Sequence, residues 1–427
     1  MNMIREVKSA RVGDRYYEVK HPSGLRIFVY PKEQNNSTYA VFGTKYGSVD
    51  TTFKRSDEAE ACTVPEGIAH YLEHKLFESE DGDAFARYAK TGANANAYTS
   101  FDVTCYLFSC TENVYESLEI LLDFVQSPYF TEQTVQKEQG IIGQEIRMYD
   151  DDPQWRVMFN LLEALYHTHP VKIDIAGTVE SIAKITPELL YRCYHTFYNL
   201  NNMVLCVAGN IDVNKVLELC DKLLKPSAPV EIERIFEKEP LEIVKPYVEQ
   251  KLSVVTPLFQ LGFKEDAGNR RRTAKELAET EILLEAMASD ASPLFRRLLD
   301  AELVNESSFG YEYFEGPGYA SVIFSGESKN PKLVAEEIIK EAERLRREGL
   351  DEPAFQRSQK ALYGRTVSAL NSVDSIANSM ASFAFTGREL FSYIDEIANA
   401  DLQSVQRRLD SQLLADFAAL SVVNPAE

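Results

Sequence analysis

Two histidines and a glutamate in the segment Gly67-Ile-Ala-His-Tyr-Leu-Glu-His-Lys-Leu-Phe77 have a spacing that could hold a metal ion. On a helix, His70 and His74 are four residues apart and share a face, and Glu73 lies beside them. Two imidazoles at this spacing can bind one zinc ion at about 2.0–2.1 Å. Glu73 would then lie near a zinc-activated water and could take its proton as the water attacks a carbonyl. The order H-x-x-E-H is an inverted zinc-peptidase motif, so the segment predicts a hydrolytic zinc site.

A third ligand must come from elsewhere, because a catalytic zinc usually takes three protein ligands and keeps one open position. The helical pattern over residues 131–148 offers Glu138 and Glu145, which are seven positions apart and therefore share a face. On this spacing either could be the ligand, and the other would orient a ligand or the water. Ile141 and Ile142 lie between them and are predicted to anchor that face on the core. The alternative is that both are ordinary exposed helix glutamates.

The elements around the motif follow from its flanking residues. A helix is predicted from about Pro65 to Phe77, with Thr63 as N-cap and Glu66 completing a capping box. Its apolar residues recur every fourth position, which gives a buried stripe beside the polar one. Residues 95–109 are predicted to form a strand or a pair of strands.

The whole chain of 427 residues is too long for one ordinary core, which favours two domains. We predict a first domain over residues 1–224, a proline-rich and charged linker over 225–251, and a second domain over 252–427. The second half repeats the first faintly, and registering the two places Glu145 against Arg365. All six histidines lie in the first half, so only the first domain could hold a histidine-bound metal.

The overall charge of the chain limits the classes of partner that it could bind. Acidic residues outnumber basic ones, 66 to 45, and the net charge of −21 disfavours nucleic acid and anionic lipid as partners. The same charge tolerates or attracts cationic peptides, although it could serve solubility alone. No apolar stretch is long enough to span a bilayer, and no signal-peptide core is visible at the start. The cysteines form no CxxC pair and read as buried, reduced thiols. The expectation is a soluble, cytoplasmic protein.

The two helices together resemble those of the pitrilysin-like (insulinase, M16-type) zinc metallopeptidases. The resemblance is to the two-domain bacterial relatives of the mitochondrial processing peptidase, and the run Leu72–Glu78 is most similar to the YmfH-like branch. It implies that Zn²⁺ is the cofactor, that His70, His74 and Glu145 are its ligands, and that Glu138 supports the site from behind.

A second stretch, Gly92-Ala-Asn-Ala-Asn-Ala-Tyr-Thr-Ser100, resembles the Asn-Ala-x-Thr segment of this family. There it is an active-site strand that pairs with the substrate backbone. The resemblance implies that Asn96, Ala97 and Thr99 bind a peptide substrate and that Tyr98 faces a side-chain pocket. A peptide added as a strand would be held extended, with its scissile carbonyl near the metal.

One departure concerns the second half. Active relatives commonly carry Ser-x-Leu-Phe, then Leu-Arg-Glu and Gly-Leu-Ala-Tyr, whose Arg and Tyr help bind substrate and the tetrahedral intermediate. Here Ser292-Pro-Leu-Phe295 is present, but Leu298-Leu299-Asp300 replaces Leu-Arg-Glu, and residues 303–307 lack the Tyr. The resemblance therefore implies a homo- or heterodimer, with a metal-free homologous subunit that supplies the missing pair.

The expected fold is α+β, with two homologous domains enclosing a cavity like a clam. Each would be an antiparallel sheet of about six strands with helices on one face. The predicted activity is zinc-dependent endopeptidase cleavage of peptides or unfolded segments, with Glu73 as general base and then acid. Two alternatives stay open. One is a non-catalytic assembly subunit of the same fold, and the other is a zinc hydrolase acting on a non-peptide amide.

Overall fold

Runs of strands and runs of helices follow one another along the chain in an α+β fold, and a computed structural model describes residues 3–80, 82–268 and 270–426. The strands are β1 (Met3–Lys8), β2 (Arg15–Lys20), β3 (Arg26–Pro31), β4 (Thr38–Thr44), β5 (Thr52–Arg55), β6 (Cys62–Thr63), β7 (Glu78–Ser79), β8 (Gly82–Asp83), β9 (Asn94–Thr99), β10 (Thr104–Cys110), β11 (Met203–Gly209), β12 (Ile232–Arg234), β13 (Tyr247–Leu252), β14 (Leu258–Lys264), β15 (Gly310–Gly316), β16 (Tyr319–Glu327) and β17 (Ala418–Pro425). The helices are α1 (Ile68–Leu76), α2 (Ala84–Thr91), α3 (Val114–Phe124), α4 (Glu132–Asp150), α5 (Pro153–Leu165), α6 (Val179–Ile182), α7 (Pro187–Phe197), α8 (Val213–Leu223), α9 (Ala274–Ala288), α10 (Pro293–Asp300), α11 (Pro331–Glu348), α12 (Glu352–Ala369), α13 (Val373–Thr386), α14 (Leu390–Asn399) and α15 (Leu402–Arg407). None of these helices combines the length and apolar character that a bilayer crossing requires.

The chain folds into two compact units, and each unit takes segments from distant parts of the sequence. The first contains residues 1–146, 174–235 and 367–391. The second contains residues 147–173, 236–366 and 392–427. The boundaries of these units do not coincide with the predicted domain boundaries at 224 and 252. The predicted division therefore stays a prediction about two homologous halves of the sequence, and the compact units are a separate description of how the chain packs.

The first unit is built on a sheet whose strand order, among the described residues, is β1-β2-β3-β11-β4-β10-β9. Neighbouring strands run antiparallel except β3 and β11, which are parallel. The central strand β11 is buried along its whole length, as its unbroken apolar sequence dictates. Strand β9 lies at one edge and pairs with β10 in a register that places Thr99 opposite Thr104.

The second unit repeats this order in its sheet β13-β17-β14-β16-β15, where β13 and β17 form the parallel pair. Position by position, β3, β11, β4, β10 and β9 correspond to β13, β17, β14, β16 and β15. The two-domain α+β fold is thus confirmed. Among the described residues the two sheets have seven and five strands, in line with the expected six or so, and all neighbours are antiparallel except one pair in each sheet. That parallel pair forms where the last strand of each sheet inserts between two earlier ones.

Each sheet is covered in part by a helix from the other half of the sequence. Helix α13 packs on β4 and β11 of the first sheet, and α5 packs on β14 and β17 of the second. A glycine lies at each contact, since a side chain on Gly43 would come within 3.1 Å of the Phe385 ring. One on Gly262 would come within 2.8 Å of Leu165. This exchange explains why residues 147–173 and 367–391 belong to the opposite units.

The segment predicted to be a linker carries ordered strands at both ends. Strand β12 pairs with β5 in the first unit, and β13 pairs with β17 in the second. Arg234 in β12 donates from Nε to the buried carboxylate of Asp50, with 2.7 Å between the atoms. Because a buried charge needs a partner, this pair fastens the segment to the first unit.

Helix α1 begins later than predicted. Its N-cap is Gly67, with φ of +84°, and no side chain caps it. A Cβ on Gly67 would lie 2.3 Å from the carbonyl oxygen of Ala176, so only glycine fits at this close approach. Thr63 instead pairs with Thr52 in the short ladder between β5 and β6. The capping-box prediction was therefore wrong, because tertiary contact at Gly67 overrode the local signal.

Candidate functional site

Three predicted ligand side chains meet in the first unit. His70 and His74 project from α1, and Glu145 projects from α4. One ligand atom from each lies within 4.8 Å of the other two. Glu145 Oε1 is 3.7 Å from His70 Nε2, and Glu145 Oε2 is 3.4 Å from His74 Nε2.

These separations fit a tetrahedral zinc. Ligand atoms held 2.0–2.1 Å from a tetrahedral ion lie roughly 3.3 Å apart. The two measured nitrogen–oxygen distances are within a few tenths of an ångström of that value. Two imidazole nitrogens and one carboxylate are also the donor set of many catalytic zinc sites, which keep a fourth position open. The residues present therefore fit the ion.

Glu138 occupies a different place from Glu145. Its Oε1 atom is 3.0 Å from His74 Nδ1, the ring nitrogen that faces away from Glu145. A carboxylate in this position accepts the Nδ1 proton, fixes the tautomer and leaves Nε2 free to bind a metal. The geometry thus separates the two glutamates that the spacing alone left equivalent. The Nδ1 atom of His70 is buried and has no hydrogen-bonding partner among the described residues.

The two imidazoles are in unlike electrostatic surroundings. Burial, and then the neighbouring His74 ring, lower the pKa of His70 to about 4. At His74 burial also favours the neutral ring, but the Glu138 hydrogen bond and the nearby carboxylates outweigh it and raise the pKa. Before a metal binds, a proton on His74 would therefore sit among carboxylates. A bound cation replaces that proton, so metal binding and proton release are coupled.

Glu73 lies beside these rings and is nearly buried, with 9% of its surface exposed. Its Oε2 atom accepts a hydrogen bond of 2.5 Å from the hydroxyl of Thr99 at the end of β9. Burial raises the pKa of Glu73, and the Thr99 hydrogen bond opposes that rise. A carboxyl held in this way, close to the ligand rings, is placed to exchange a proton with a reacting water.

Helix α4 is held against α1 by a buried tyrosine. The Tyr71 hydroxyl donates to the carbonyl oxygen of Val135, one turn before Glu138. Ile142 is fully buried and anchors the helix, as predicted. Ile141 does not, because it is 46% exposed and faces a cavity. Adjacent residues on a helix lie 100° apart, and here that rotation turns Ile141 away from the core that Ile142 enters.

That cavity has a volume of about 580 Å³ and opens directly on the site. The rings of Phe77 and Phe85 stack 4.4 Å apart and form an apolar wall. Its remaining lining comes from the site, the β9 edge, α4 and the acidic connection between α1 and α2: Glu73, His74, Asn96, Ala97, Lys137, Glu138, Ile141, Glu78, Ser79, Glu80, Gly82 and Asp83. The sequence reading missed this wall, although two phenylalanines in an otherwise acidic stretch were a visible signal.

Strand β9 carries the four predicted substrate residues on the sheet edge. Asn96 and Ala97 line the cavity, whereas Tyr98 is 38% exposed and is not part of that lining. The side chain of Asn96 accepts a hydrogen bond of 2.9 Å from the amide of Ala97. An edge strand with amides outside its ladder is a template for an added strand. Here the Asn96 side chain covers one of them.

The corresponding place in the second unit holds an internal ion pair. In the order of elements along the chain, α9 and α12 correspond to α1 and α4. Arg365 lies at the position that corresponds to Glu145. Its guanidinium donates to Glu285 on α9, at 3.0 Å for the longer bond, and Tyr311 donates to the same carboxylate at 2.7 Å. A cationic side chain therefore fills the position where the first unit could bind a cation.

Two family models match successive parts of the chain. Residues 62–179 match the family described as "Insulinase (Peptidase family M16)". Residues 184–362 match "Peptidase M16 inactive domain".

Two similar proteins cover nearly the whole chain, and a third covers about half of it. The Bacillus subtilis protein named "Uncharacterized zinc protease YmfH" is 40% identical over 99% of this chain and 100% of its own length. A "Probable mitochondrial-processing peptidase subunit beta" from Arabidopsis thaliana is 27% identical over 51% of the chain and 41% of its own length. The crystal structure of a putative M16-like peptidase from Alicyclobacillus acidocaldarius has a TM-score of 0.91 and 34% identity, covering 100% of this chain and 99% of the other.

Proposed function

The chain belongs to the insulinase family of M16 peptidases, and we propose that it is a zinc-dependent endopeptidase with its active site on α1 and α4. The observation that carries this proposal is the meeting of His70 Nε2, His74 Nε2 and the Glu145 carboxylate at separations that suit a tetrahedral ion. Relatives named zinc proteases support the choice of metal. When bound, zinc supplies Lewis acidity that polarises a peptide carbonyl and makes water easier to deprotonate.

The protein side of the reaction falls to Glu73. Its carboxylate accepts a proton from the attacking water and later donates it to the leaving amine, which is general base and then general acid catalysis. The Glu138 hydrogen bond keeps His74 in the tautomer that presents Nε2 to the site. Zinc ligation is thereby separated from proton transfer, because different carboxylates perform each role.

A peptide would bind by adding a strand to the free edge of β9. Its carbonyl would replace the side chain of Asn96 at the Ala97 amide, and one peptide side chain would enter the cavity beside Phe77. Main-chain hydrogen bonds of this kind supply affinity without sequence preference, and the cavity supplies selectivity. Tyr98 projects from the same strand and would meet a neighbouring part of the peptide.

The test is cleavage of quenched fluorescent peptides by the purified, zinc-loaded chain. Glu73→Gln should reduce the rate by at least a hundredfold while zinc remains bound, and a chelator should abolish cleavage reversibly. Glu218→Gln, on the exposed face of α8, is the matched control and should behave as wild type. Cleavage that survives Glu73→Gln would exclude this mechanism. Zinc binding without any peptide cleavage, both by the chain alone and after a metal-free homologue has been added, would favour the assembly subunit or the non-peptide hydrolase.

We further propose that the chain is the metal-bearing half of a heterodimer. At the positions where relatives carry Leu-Arg-Glu, Leu298 is fully buried and Asp300 pairs with Arg296 at 2.8 Å. No arginine stands at position 299, and a second copy of this chain would bring the same leucine. A different, metal-free homologue is therefore the partner that could supply the missing Arg and Tyr. Full activity of the lone chain, with no gain from adding such a homologue, would contradict this.

A further inference from the structure

We propose that Thr99 is a positioning residue for Glu73, an inference that rests on the proposed function. The family resemblance assigns Thr99 to substrate binding, but its hydroxyl points at the carboxylate instead. Thr99 Oγ1 donates to Glu73 Oε2 at 2.5 Å, across 26 residues of sequence. Charge-assisted O–H···O⁻ bonds of 2.5–2.7 Å are among the strongest that a neutral side chain makes.

The Thr99 hydroxyl has one proton to donate, and both Glu73 and Thr104 could accept it. Thr104 stands opposite Thr99 on β10 and is fully buried, and its own proton goes to the carbonyl oxygen of Tyr46 at 2.9 Å. Thr99 lies 3.3 Å from the Thr104 oxygen, which can accept but has no second proton to give. The single Thr99 proton therefore goes to Glu73, at the much shorter distance. Thr104 offers that proton another acceptor when Glu73 is itself protonated.

The anchor behind this contact is rigid. Thr104 lies on β10, which pairs with β9 on one side and β4 on the other. Glu73, by contrast, is a long side chain with rotatable bonds on a different element. The hydroxyl therefore ties one oxygen of the Glu73 carboxylate to the sheet. A misplacement of about 1 Å at a reacting group can cost on the order of a hundredfold in rate, so fixing Oε2 has a direct kinetic consequence.

A positioning role and a substrate-binding role depend on different parts of residue 99. A substrate-binding residue on an edge strand acts through its backbone, which every amino acid retains. A positioning residue acts through the hydroxyl alone. Thr99→Val keeps the shape and removes the hydroxyl, and Thr99→Ser keeps the hydroxyl. Thr52→Val makes the same change at a hydroxyl that is hydrogen-bonded to Thr63 on the small sheet, and is the control.

The experiment measures kcat and KM of the zinc-loaded full chain on one quenched peptide, together with zinc content and a crystal structure of each variant. Thr99→Val should lower kcat about tenfold or more, leave KM within about twofold, and keep zinc stoichiometric. Thr99→Ser should recover most of the lost kcat. In the crystal, Glu73 Oε2 should leave its place beside position 99 in the valine variant and retain it in the serine variant.

Two results would overturn the inference. One is a raised KM with normal kcat in Thr99→Val, which would return Thr99 to substrate binding. The other is an undisplaced Glu73 in that variant's crystal structure. If wild type cleaves no peptide, either alone or with a metal-free homologue added, the proposed function fails separately, and the displacement of Glu73 still decides the role of Thr99.

Discussion

Replacing Glu138 and Glu145 by glutamine, one at a time, separates the two carboxylates that sequence spacing leaves equivalent. Both changes preserve size and remove charge. In the structure Glu145 faces Nε2 of both histidines, whereas Glu138 faces Nδ1 of His74. Glu145 should therefore act as a ligand to zinc, and Glu138 should support the ligand His74.

The expected loss of zinc affinity in each variant follows from the position of the carboxylate that it replaces. Removing a hydrogen-bonding partner behind a ligand typically weakens zinc binding 10- to 100-fold. At position 138 a glutamine oxygen can still accept the Nδ1 proton of His74, so the loss should be near the lower end, about tenfold. For a direct ligand, sharing about 10–16 kcal/mol of zinc-binding free energy among four ligands gives about 2.5–4 kcal/mol. Glu145→Gln should therefore weaken binding by about a hundredfold or more.

The assay is competition for zinc with a chromogenic chelator at fixed pH, after circular dichroism has shown that each variant is folded. Glu132→Gln, in the exposed first turn of the same helix, is the control and should bind zinc as wild type does. A larger loss for Glu138→Gln than for Glu145→Gln would reverse the assignment. Losses no greater than that of the control would show that neither carboxylate reaches the metal.

Other predictions concern stability. Burial lowers the pKa of His169 to about 4, and its neutral ring accepts from the Val171 amide at 3.0 Å, so protonation opposes folding. This stabilisation is complete above pH 6.5 and is lost as the pH falls to about 4. Wild type should lose up to roughly 3 kcal/mol more than His169→Gln in urea titrations over that range, whereas exposed His167→Gln should follow wild type. Gly140→Ala should stabilise α4 by about 0.5–1 kcal/mol, because its Cβ meets nothing within 4 Å. A Cβ at Gly92 would also meet nothing within 4 Å, but the φ of Gly92 is +78°, so the melting temperature of Gly92→Ala should fall. Equal effects of Gly140→Ala and Gly92→Ala on stability would refute this argument from backbone conformation.

The second unit shows how a duplicated framework can lose its site. Its strand order repeats that of the first, yet Arg365 and Glu285 stand where a metal site would be. An internal cation satisfies the carboxylate that would otherwise need an external one. The ion pair therefore fills this place in a unit that keeps the same order of strands.

The sequence by itself determined which residues could do chemistry and on which helices they lie. The spacing of His70, Glu73 and His74 is a local property, because a helix puts residues three and four apart on one face whatever surrounds it. The edge strand of residues 94–99 and the α+β character were likewise visible from local patterns. The family resemblance then pointed to Glu145 over Glu138.

Only the tertiary structure decided how those elements meet. The roles of Glu138 and Glu145 depend on which nitrogen of His74 each one faces, and no spacing within one helix contains that information. The start of α1 at Gly67 depends on a carbonyl more than a hundred residues away, and the exchange of α5 and α13 depends on which sheet offers each a glycine-lined surface. Long-range packing outweighs local propensity at such points, because burying a helix face stabilises more than a single cap does.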